Sequence, residues 1–572
     1  MLEENYYLSN FEALVVFVAD TYAELLSEDE TRWYRAVLGA SEPARRLYIR
    51  LISRRGDVFR LKKLQYAEIP AIDTAARELA SMGLVSLAAT DNLAVLASTF
   101  TKPELIKLLD LTSERNTKRD ELVANIVEKD AASDRARLQS ADTFITVSGF
   151  IEFTVFKLCF FGNGYQDMSE FVLRDLGVFT YENYQINQHT RVFRHREQIE
   201  AHLQCMLCGE TLDAADLQDS QVLMEVTKHL PAQSLGDPHL HRRIDRIRNR
   251  VARQLERLNK PTQALTLYQQ SSHPPARERQ TRVLMHLERW TEAQSVCNAI
   301  RQQPHTDEEL QFVDIIEPKL RKKMNLAVVK QPRFKPNTTR LTLTPGDERV
   351  ESIARTFYSQ FGDCFYVENA LINGVLGLFI WDIIFAPVEG VFYNPFQSAP
   401  ADFYQSEFYH KRAELFETRF NELKDPLQFS ARVWDTYQSR AGIMNPLVSW
   451  GMLSEPLLSL ALMRIPVDDW RVLFDRILKD LRNHSSGLPD LILFPKPGAD
   501  SSAASKTAIN TGVGDSFGGR VDNNLGKYEL IEIKGPGDAV QKNQRRWMAY
   551  FAEHRIPYRV VHIRWAQLQE PV

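Results

Sequence analysis

The chain has 572 residues, enough for three or four domains, and 44% hydrophobic and 25% charged residues, which is typical of a folded globular protein and excludes a disordered or fibrous one. Its richest apolar run, Val375–Phe385, is interrupted by glycine and aspartate and is too short to span a bilayer, so no membrane partner is expected. The net charge of −4 does not by itself indicate a nucleic-acid-binding protein, although phosphate contact depends on local rather than total charge.

Residues 1–95 predict a winged-helix-like DNA-binding region. A basic amphipathic helix over residues 42–54 is followed by a strand candidate at 57–61, a helix at 72–82 and a second strand candidate at 84–87. Eight of the residues between 45 and 63 are basic. Three of them are our candidates for phosphate contact: Arg46, Arg50 and Arg54. A solvated helix face explains the same cluster equally well.

Residues 96–140 predict a small helical module. The segment from Phe100 to Leu109 has Thr101 as a helix cap and Pro103 near the helix start, and it is similar to the first helix of a SAP module, a DNA-binding unit. An ordinary capped amphipathic helix accounts for these residues without DNA.

Residues 141–330 predict a helical region with a faint internal repeat. Leucines and alanines at 255, 258 and 264 recur at 284, 287 and 293, an offset of 29 residues. This pattern resembles tetratricopeptide (TPR) helical hairpins, which would offer a surface for protein partners, while an ordinary helical bundle is the alternative. The region also contains a second basic cluster, at 242–260, with Arg246 and Arg250 as DNA-contact candidates.

Five cysteines, at positions 159, 205, 208, 297 and 364, are typical of free thiols in a reducing compartment. Cys205 and Cys208 have the spacing of two zinc ligands, but no second pair supplies the other two. The N-terminal residues have no basic segment before an apolar run, so no secretory signal is expected.

Residues 328–345 are rich in proline, threonine and lysine and predict a linker, and residues 340–572 predict the catalytic domain. Two apolar runs of strand length, 487–494 and 528–535, carry Asp490 in the first and Glu532 and Lys534 in the second. A strand has period two, so Glu532 and Lys534 face the same side. Two carboxylates on neighbouring strands are costly to bury unless they hold a hard divalent cation. The polar insert 496–527 between the strands predicts a surface loop.

Three motifs in this domain point to one family. Pro489-Asp490 followed by Glu532-Ile533-Lys534 resembles the signature of the PD-(D/E)xK nuclease superfamily. The stretch EIKGPGD…QKNQRRWMAYF resembles the VRR-NUC branch of that superfamily. Residues 377–385 are similar to the segment that precedes the nuclease core in Fanconi-associated nucleases.

The resemblance implies a multidomain α-rich protein, with helical N-terminal and TPR-like regions followed by an α/β PD-(D/E)xK nuclease domain. It implies one or two Mg²⁺ or Mn²⁺ ions held by four residues: Glu368, Asp490, Glu532 and the carbonyl of Ile533. Lys534 would orient the attacking water, and Gln544 would reach the site from a helix over residues 541–554. Glu368 is thirteen residues before Trp381, the family's spacing, and we expect it on the apolar face of a helix, where favourable charge at a helix start is its alternative role.

The function implied is a structure-specific DNA nuclease with 5′-flap endonuclease and 5′→3′ exonuclease activity, acting on branched or flapped duplex DNA in interstrand crosslink repair. Alternatives are a Holliday-junction or restriction-type nuclease of the same superfamily and a non-cleaving helical-repeat DNA adaptor. A cytoplasmic location is expected in a bacterium and a nuclear one in a eukaryote, and the oligomeric state stays open.

Overall fold

A computed structural model describes residues 6–166, 179–232, 236–328, 334–496 and 528–566. These residues form two compact units: one holds the described residues up to 247 except 179–185, and the other holds 179–185 and the described residues from 248 onward. Most elements are helices, as predicted. Within the described ranges, no helix combines the length and apolarity that a membrane span requires.

The first unit contains three short strands and a series of helices. The strands are β1 (Val58–Arg60), β2 (Val85–Ser86) and β3 (Phe144–Val147). The helices are α1 (Tyr6–Tyr22), α2 (Glu28–Gly39), α3 (Glu42–Ile52), α4 (Ile72–Ser81), α5 (Leu93–Ser98), α6 (Lys102–Leu108), α7 (Arg119–Lys129), α8 (Ala132–Ser140), α9 (Phe150–Phe161), α10 (Arg196–Ala214), α11 (Ser220–Lys228) and α12 (Pro238–Arg257), whose end belongs to the second unit. Short 3₁₀ turns lie at Ala23–Leu25, Leu61–Lys63 and Thr112–Glu114.

The sheet of the first unit joins two of the regions that we distinguished in the sequence. Strands β1 and β2 lie at the predicted positions, and each pairs antiparallel with β3, which comes from the region assigned to 141–330. The core under this sheet combines Val58 and Phe144 with the α5–α8 leucines. Residues 96–140 are therefore packed against the sheet. The predicted cap of α6 is present, because the Thr101 N–H donates to Glu104 at 2.8 Å.

The second unit contains five strands and the remaining described helices. The strands are β4 (Thr338–Leu343), β5 (Gly362–Tyr366), β6 (Leu491–Pro495), β7 (Glu529–Lys534) and β8 (Tyr558–Trp565). The helices are α13 (Pro261–Gln269), α14 (Ala276–His286), α15 (Trp290–Gln302), α16 (Asp307–Lys323), α17 (Val350–Tyr358), α18 (Ala370–Phe379), α19 (Trp381–Ile384), α20 (Glu407–His410), α21 (Ala413–Glu422), α22 (Pro426–Ser439), α23 (Glu455–Arg464), α24 (Val467–Lys479), α25 (Leu481–His484) and α26 (Lys542–His554).

The 29-residue repeat found in the sequence also appears in the structure, at the ends of two helices. Asn259 and Glu288, 29 residues apart, end α12 and α14 with nearly the same left-handed backbone, at φ 55° and 59°. Helices α13 to α16 each pack on the next one along the chain. The residues thus form successive helical pairs, and their assignment to the tetratricopeptide type stays a prediction.

The five strands of the second unit form one mixed sheet, in the order β4-β8-β7-β6-β5. Strand β7 is parallel to β8 and antiparallel to β6, and every residue of β6 is buried. The predicted linker 328–345 is partly wrong, because its residues 338–343 form β4 beside β8. β-Branched threonines suit such an edge strand. Of the insert 496–527, all but residue 496 lies outside the described residues, so its role stays a prediction.

Candidate nuclease active site

Asp490 is fixed at the start of β6 by contacts to two neighbouring segments. Its side-chain Oδ2 accepts a hydrogen bond from the Ile533 N–H of β7 at 2.8 Å. Its carbonyl oxygen accepts from the N–H groups of Val367 and Glu368, at 2.8 and 3.1 Å. The Pro-Asp motif is therefore hydrogen-bonded to two segments. One is β7, the predicted strand that carries Glu532 and Lys534, and the other is the turn after β5.

Glu532 is fully buried on β7, with 0% of its surface exposed, and its two carboxylate oxygens differ in environment. Oε1 accepts from Lys534 Nζ at 2.7 Å and from Gln544 Nε2 at 2.6 Å. Oε2 is buried and has no hydrogen-bond partner among the described residues. A buried carboxylate oxygen without a donor is costly, and a cation would satisfy it.

The electrostatics of this pair also fit a cation. Burial, together with the charge of Asp490, raises the pKa of Glu532 to about 8. Burial raises the pKa of Asp490 to about 6, against the opposing effects of the Ile533 N–H and Lys534. One lysine does not compensate the carboxylates of the buried Glu532 and the half-buried Asp490, so the site has less positive than negative charge.

Gln544 reaches Glu532 because of how α26 begins. It is the third residue of the helix, and its side-chain oxygen accepts from the Gln541 N–H at 2.9 Å while its amide donates to Glu532. The helix start lies against Gly487, where a Cβ atom would stand 2.9 Å from the Asn543 Cβ and where φ is +84°. A glycine at 487 therefore permits the close approach that brings Gln544 to the strand.

Glu368 does not lie on the apolar face of a helix, and that expectation is wrong. It precedes α18 in an exposed turn with a left-handed φ of 38°, because the chain leaves β5 at its pairing with β6 and turns before the helix begins. Its Oε2 accepts from the Tyr366 hydroxyl at 2.7 Å, and its Oε1 is 3.3 Å from Asn369 Nδ2. Its charge contributes to the raised pKa of both Asp490 and Glu532, so it belongs to the same electrostatic site.

The sequence analysis missed Glu351, in the first turn of α17, whose charge also raises the pKa of Asp490. Its signal in the sequence, an acidic residue at a helix start, is too common to single it out. Within the described ranges, no three His, Cys, Asp or Glu side chains converge as a ready-made metal cage. The fit to a cation therefore depends on the Asp490–Glu532 pair and the unsatisfied oxygen of Glu532, and the ligand roles of Glu368 and the Ile533 carbonyl stay predictions.

Cys205 and Cys208 are buried on α10, and neither belongs to a disulfide. Burial raises the pKa of Cys208, which disfavours the thiolate that zinc needs. They belong to no metal-binding group in the described part of the chain.

The structure separates the candidate DNA contacts in the first unit into two kinds. Arg46 donates to the Glu68 carbonyl at 3.1 Å and to Glu42 at 2.5 Å, and Arg50 donates to the Glu68 carboxylate at 2.7 Å. These two guanidinium groups are engaged within the protein. Arg54 is exposed beside the Tyr66 ring and forms no ion pair with any residue in the described ranges.

The candidates of the second basic cluster, Arg246 and Arg250, are exposed on α12. Their contact with DNA stays a prediction.

Comparison with known proteins agrees with this site. The family model described as "VRR-NUC domain" matches residues 425–565, and the one described as "FAN1, HTH domain" matches residues 5–86. The curated Fanconi-associated nuclease 1 homolog of Pseudomonas aeruginosa is 33% identical to the chain, covering 98% of this chain and 96% of that protein. The chain belongs to the Fanconi-associated nuclease family. It is a DNA nuclease that depends on a divalent metal.

Two further relatives extend the comparison. The Arabidopsis thaliana homolog is 22% identical and covers 98% of this chain and 67% of its own length. A crystal structure of paFAN1 bound to DNA with a two-nucleotide 5′ flap and a gap matches all of both chains, with a TM-score of 0.81 and 32% identity. The family resemblance inferred from the Pro-Asp and Glu-Ile-Lys motifs is thus confirmed over the whole chain.

Proposed function

We propose that this nuclease cuts 5′-flapped DNA, as a 5′-flap endonuclease and 5′→3′ exonuclease, and acts in the repair of interstrand crosslinks. The observation that carries the proposal is the full-length structural match to paFAN1, a protein whose structure was solved with a 5′ flap bound. The Asp490–Glu532 site supplies the chemistry that this function requires.

We further propose that Asp490 and Glu532 hold Mg²⁺ or Mn²⁺, with Glu368 and the Ile533 carbonyl as additional ligands. When bound, the cation polarises the scissile phosphate and lowers the pKa of its bound water. Lys534, whose ammonium lies 2.7 Å from Glu532, would orient the attacking water and stabilise the developing negative charge. Gln544 holds one oxygen of Glu532, and the other, which has no partner among the described residues, would be a ligand for the cation.

The test is a cleavage panel with the full chain, in Mg²⁺ and in Mn²⁺, on labelled 5′-flap, 3′-flap, nicked, four-way-junction and single-stranded DNAs of matched sequence. We expect fastest single-turnover cleavage on the 5′ flap and stepwise digestion from recessed 5′ ends. Preference for the four-way junction would support a junction-type nuclease instead. Binding without cleavage in either ion would support a non-cleaving adaptor.

Glu368→Gln is expected to raise the metal concentration that gives half-maximal cleavage, by about tenfold, because an amide is a weaker ligand than a carboxylate. Folding should be unaffected, since the side chain is exposed and the amide keeps its shape. Glu348→Gln, at an exposed glutamate just before α17, is the control. An unchanged metal titration would return Glu368 to a structural role.

Arg54→Ala combined with Arg55→Ala is expected to weaken binding to every DNA in the panel alike. Both side chains are exposed, and neither forms an ion pair within the described ranges. The slope of log affinity against log salt should become shallower by about 0.9 for each phosphate that the variant can no longer neutralise. Neutralising Arg289 and Arg471, two exposed arginines of the second unit, gives the same charge change as a control. An unchanged slope of log affinity against log salt would show that the basic cluster between residues 45 and 63 is only a solvent-exposed surface.

A further inference from the structure

Two side chains beside Glu368 contact its carboxylate, one at each oxygen. The Tyr366 hydroxyl donates to Oε2 at 2.7 Å, and Asn369 Nδ2 is 3.3 Å from Oε1. Tyr366 is the last residue of β5 and Asn369 immediately precedes α18, so the two flank the turn that carries Glu368. The orientation of an exposed glutamate is therefore set by its neighbours on both sides.

This turn is tied to the strand that carries Asp490. The Asn369 side-chain oxygen accepts from the Leu488 N–H at 3.1 Å, two residues before Asp490. The N–H groups of Val367 and Glu368 donate to the Asp490 carbonyl. Asn369 therefore contacts the Glu368 carboxylate with one atom and the Pro-Asp segment with another.

The backbone of Glu368 gives a second indication that this arrangement has a purpose beyond folding. Its φ of 38° is in the left-handed region, which is unfavourable for a residue with a side chain. Glycine would relieve that strain, and an exposed turn does not need a carboxylate. A glutamate at this position, with both oxygens contacted, points to a role for the carboxylate itself.

We propose that Tyr366 and Asn369 are positioning residues that hold the Glu368 carboxylate ready for the divalent cation of the Asp490–Glu532 site. The inference rests on the proposed function, because it assigns partners to one of the proposed ligands. A carboxylate has about four lone-pair sites, so the tyrosine hydrogen bond leaves room for a cation on the same group. Partners of this kind fix the orientation and basicity of a ligand.

The test measures Mn²⁺ binding by the full chain without DNA, by electron paramagnetic resonance of free Mn²⁺ and by the rise in melting temperature with added Mn²⁺. Tyr366→Phe removes only the hydroxyl, and the ring keeps its packing against the sheet core. We expect about tenfold weaker Mn²⁺ binding, with the metal-free melting temperature and DNA binding in EDTA unchanged. Tyr437→Phe, which loses a hydroxyl bond to the Leu453 carbonyl, is the matched control.

A double-mutant cycle separates positioning from a general structural effect. If Tyr366 acts through Glu368, then Tyr366→Phe should cause no further loss of Mn²⁺ affinity in a Glu368→Gln background. Additive losses, or unchanged Mn²⁺ affinity in Tyr366→Phe, would overturn the inference while leaving the proposed function intact. Failure of the unmodified chain to bind Mn²⁺ and cleave flapped DNA would instead overturn the proposed function.

Discussion

Asp490→Asn and Glu532→Gln are each expected to reduce single-turnover cleavage of a 5′ flap by more than about 100-fold. This loss is larger than the usual cost of removing a residue that only orients a metal ligand, because Asp490 and Glu532 are the proposed ligands themselves. Each change removes one of the two carboxylates on which the fit to a cation depends. DNA affinity measured in EDTA should stay within about twofold, because we expect phosphate contacts from basic side chains elsewhere rather than from these two carboxylates. Near-normal cleavage by either folded variant would show that the active site is wrongly placed.

Asp490 forms no ion pair among the described residues, so Asp490→Asn should leave the metal-free protein as stable as before, or more so. Where both groups are ionised, the half-buried Asp490 carboxylate and the buried Glu532 carboxylate repel each other, so removing the Asp490 charge relieves an unfavourable arrangement. Thermal unfolding in EDTA checks this expectation.

Glu529→Gln is the contrasting control on the same strand. Glu529 pairs with Arg559 at 2.6 Å, and breaking that buried pair should destabilise the protein by about 3 kcal/mol or more while leaving the metal site in place. Loss of activity without loss of stability in Asp490→Asn therefore distinguishes Asp490 from this structural neighbour.

Lys534→Met is expected to reduce the single-turnover rate by about 10²- to 10³-fold, the usual cost of removing a group that stabilises developing charge. Mn²⁺ binding should be retained or tightened, because the ammonium 2.7 Å from Glu532 Oε1 no longer competes for that carboxylate. The measurement pairs a single-turnover assay at saturating Mn²⁺ with an Mn²⁺ titration. An unchanged rate would remove Lys534 from the mechanism, and a failure to bind Mn²⁺ would make its role structural.

The strands of the site could be predicted from the sequence because their signals are local. Period-two alternation puts Glu532 and Lys534 on one side of β7, and helical spacing puts Gln544 on the packed face of α26. The Gly487 turn and the helix start then bring these residues together.

What the sequence analysis missed depends on contacts between distant segments. The pairing of β5 with β6 decides where the chain turns, so the apolar spacing after Glu368 did not show that the residue precedes the helix. The sequence of β4 predicted a linker, because the pairing with β8 that makes this segment a strand is not visible in the sequence. Similarly, a basic cluster does not reveal that Glu68 engages Arg46 and Arg50.

The most direct test of the central claim is a crystal structure of the full chain soaked with Mn²⁺, with the ion located by anomalous scattering. The account predicts a peak in contact with Asp490 and Glu532, beside the oxygen of Glu532 that has no partner among the described residues, and its loss in Asp490→Asn. A peak elsewhere, or none at a Mn²⁺ concentration that supports full cleavage, would contradict the account.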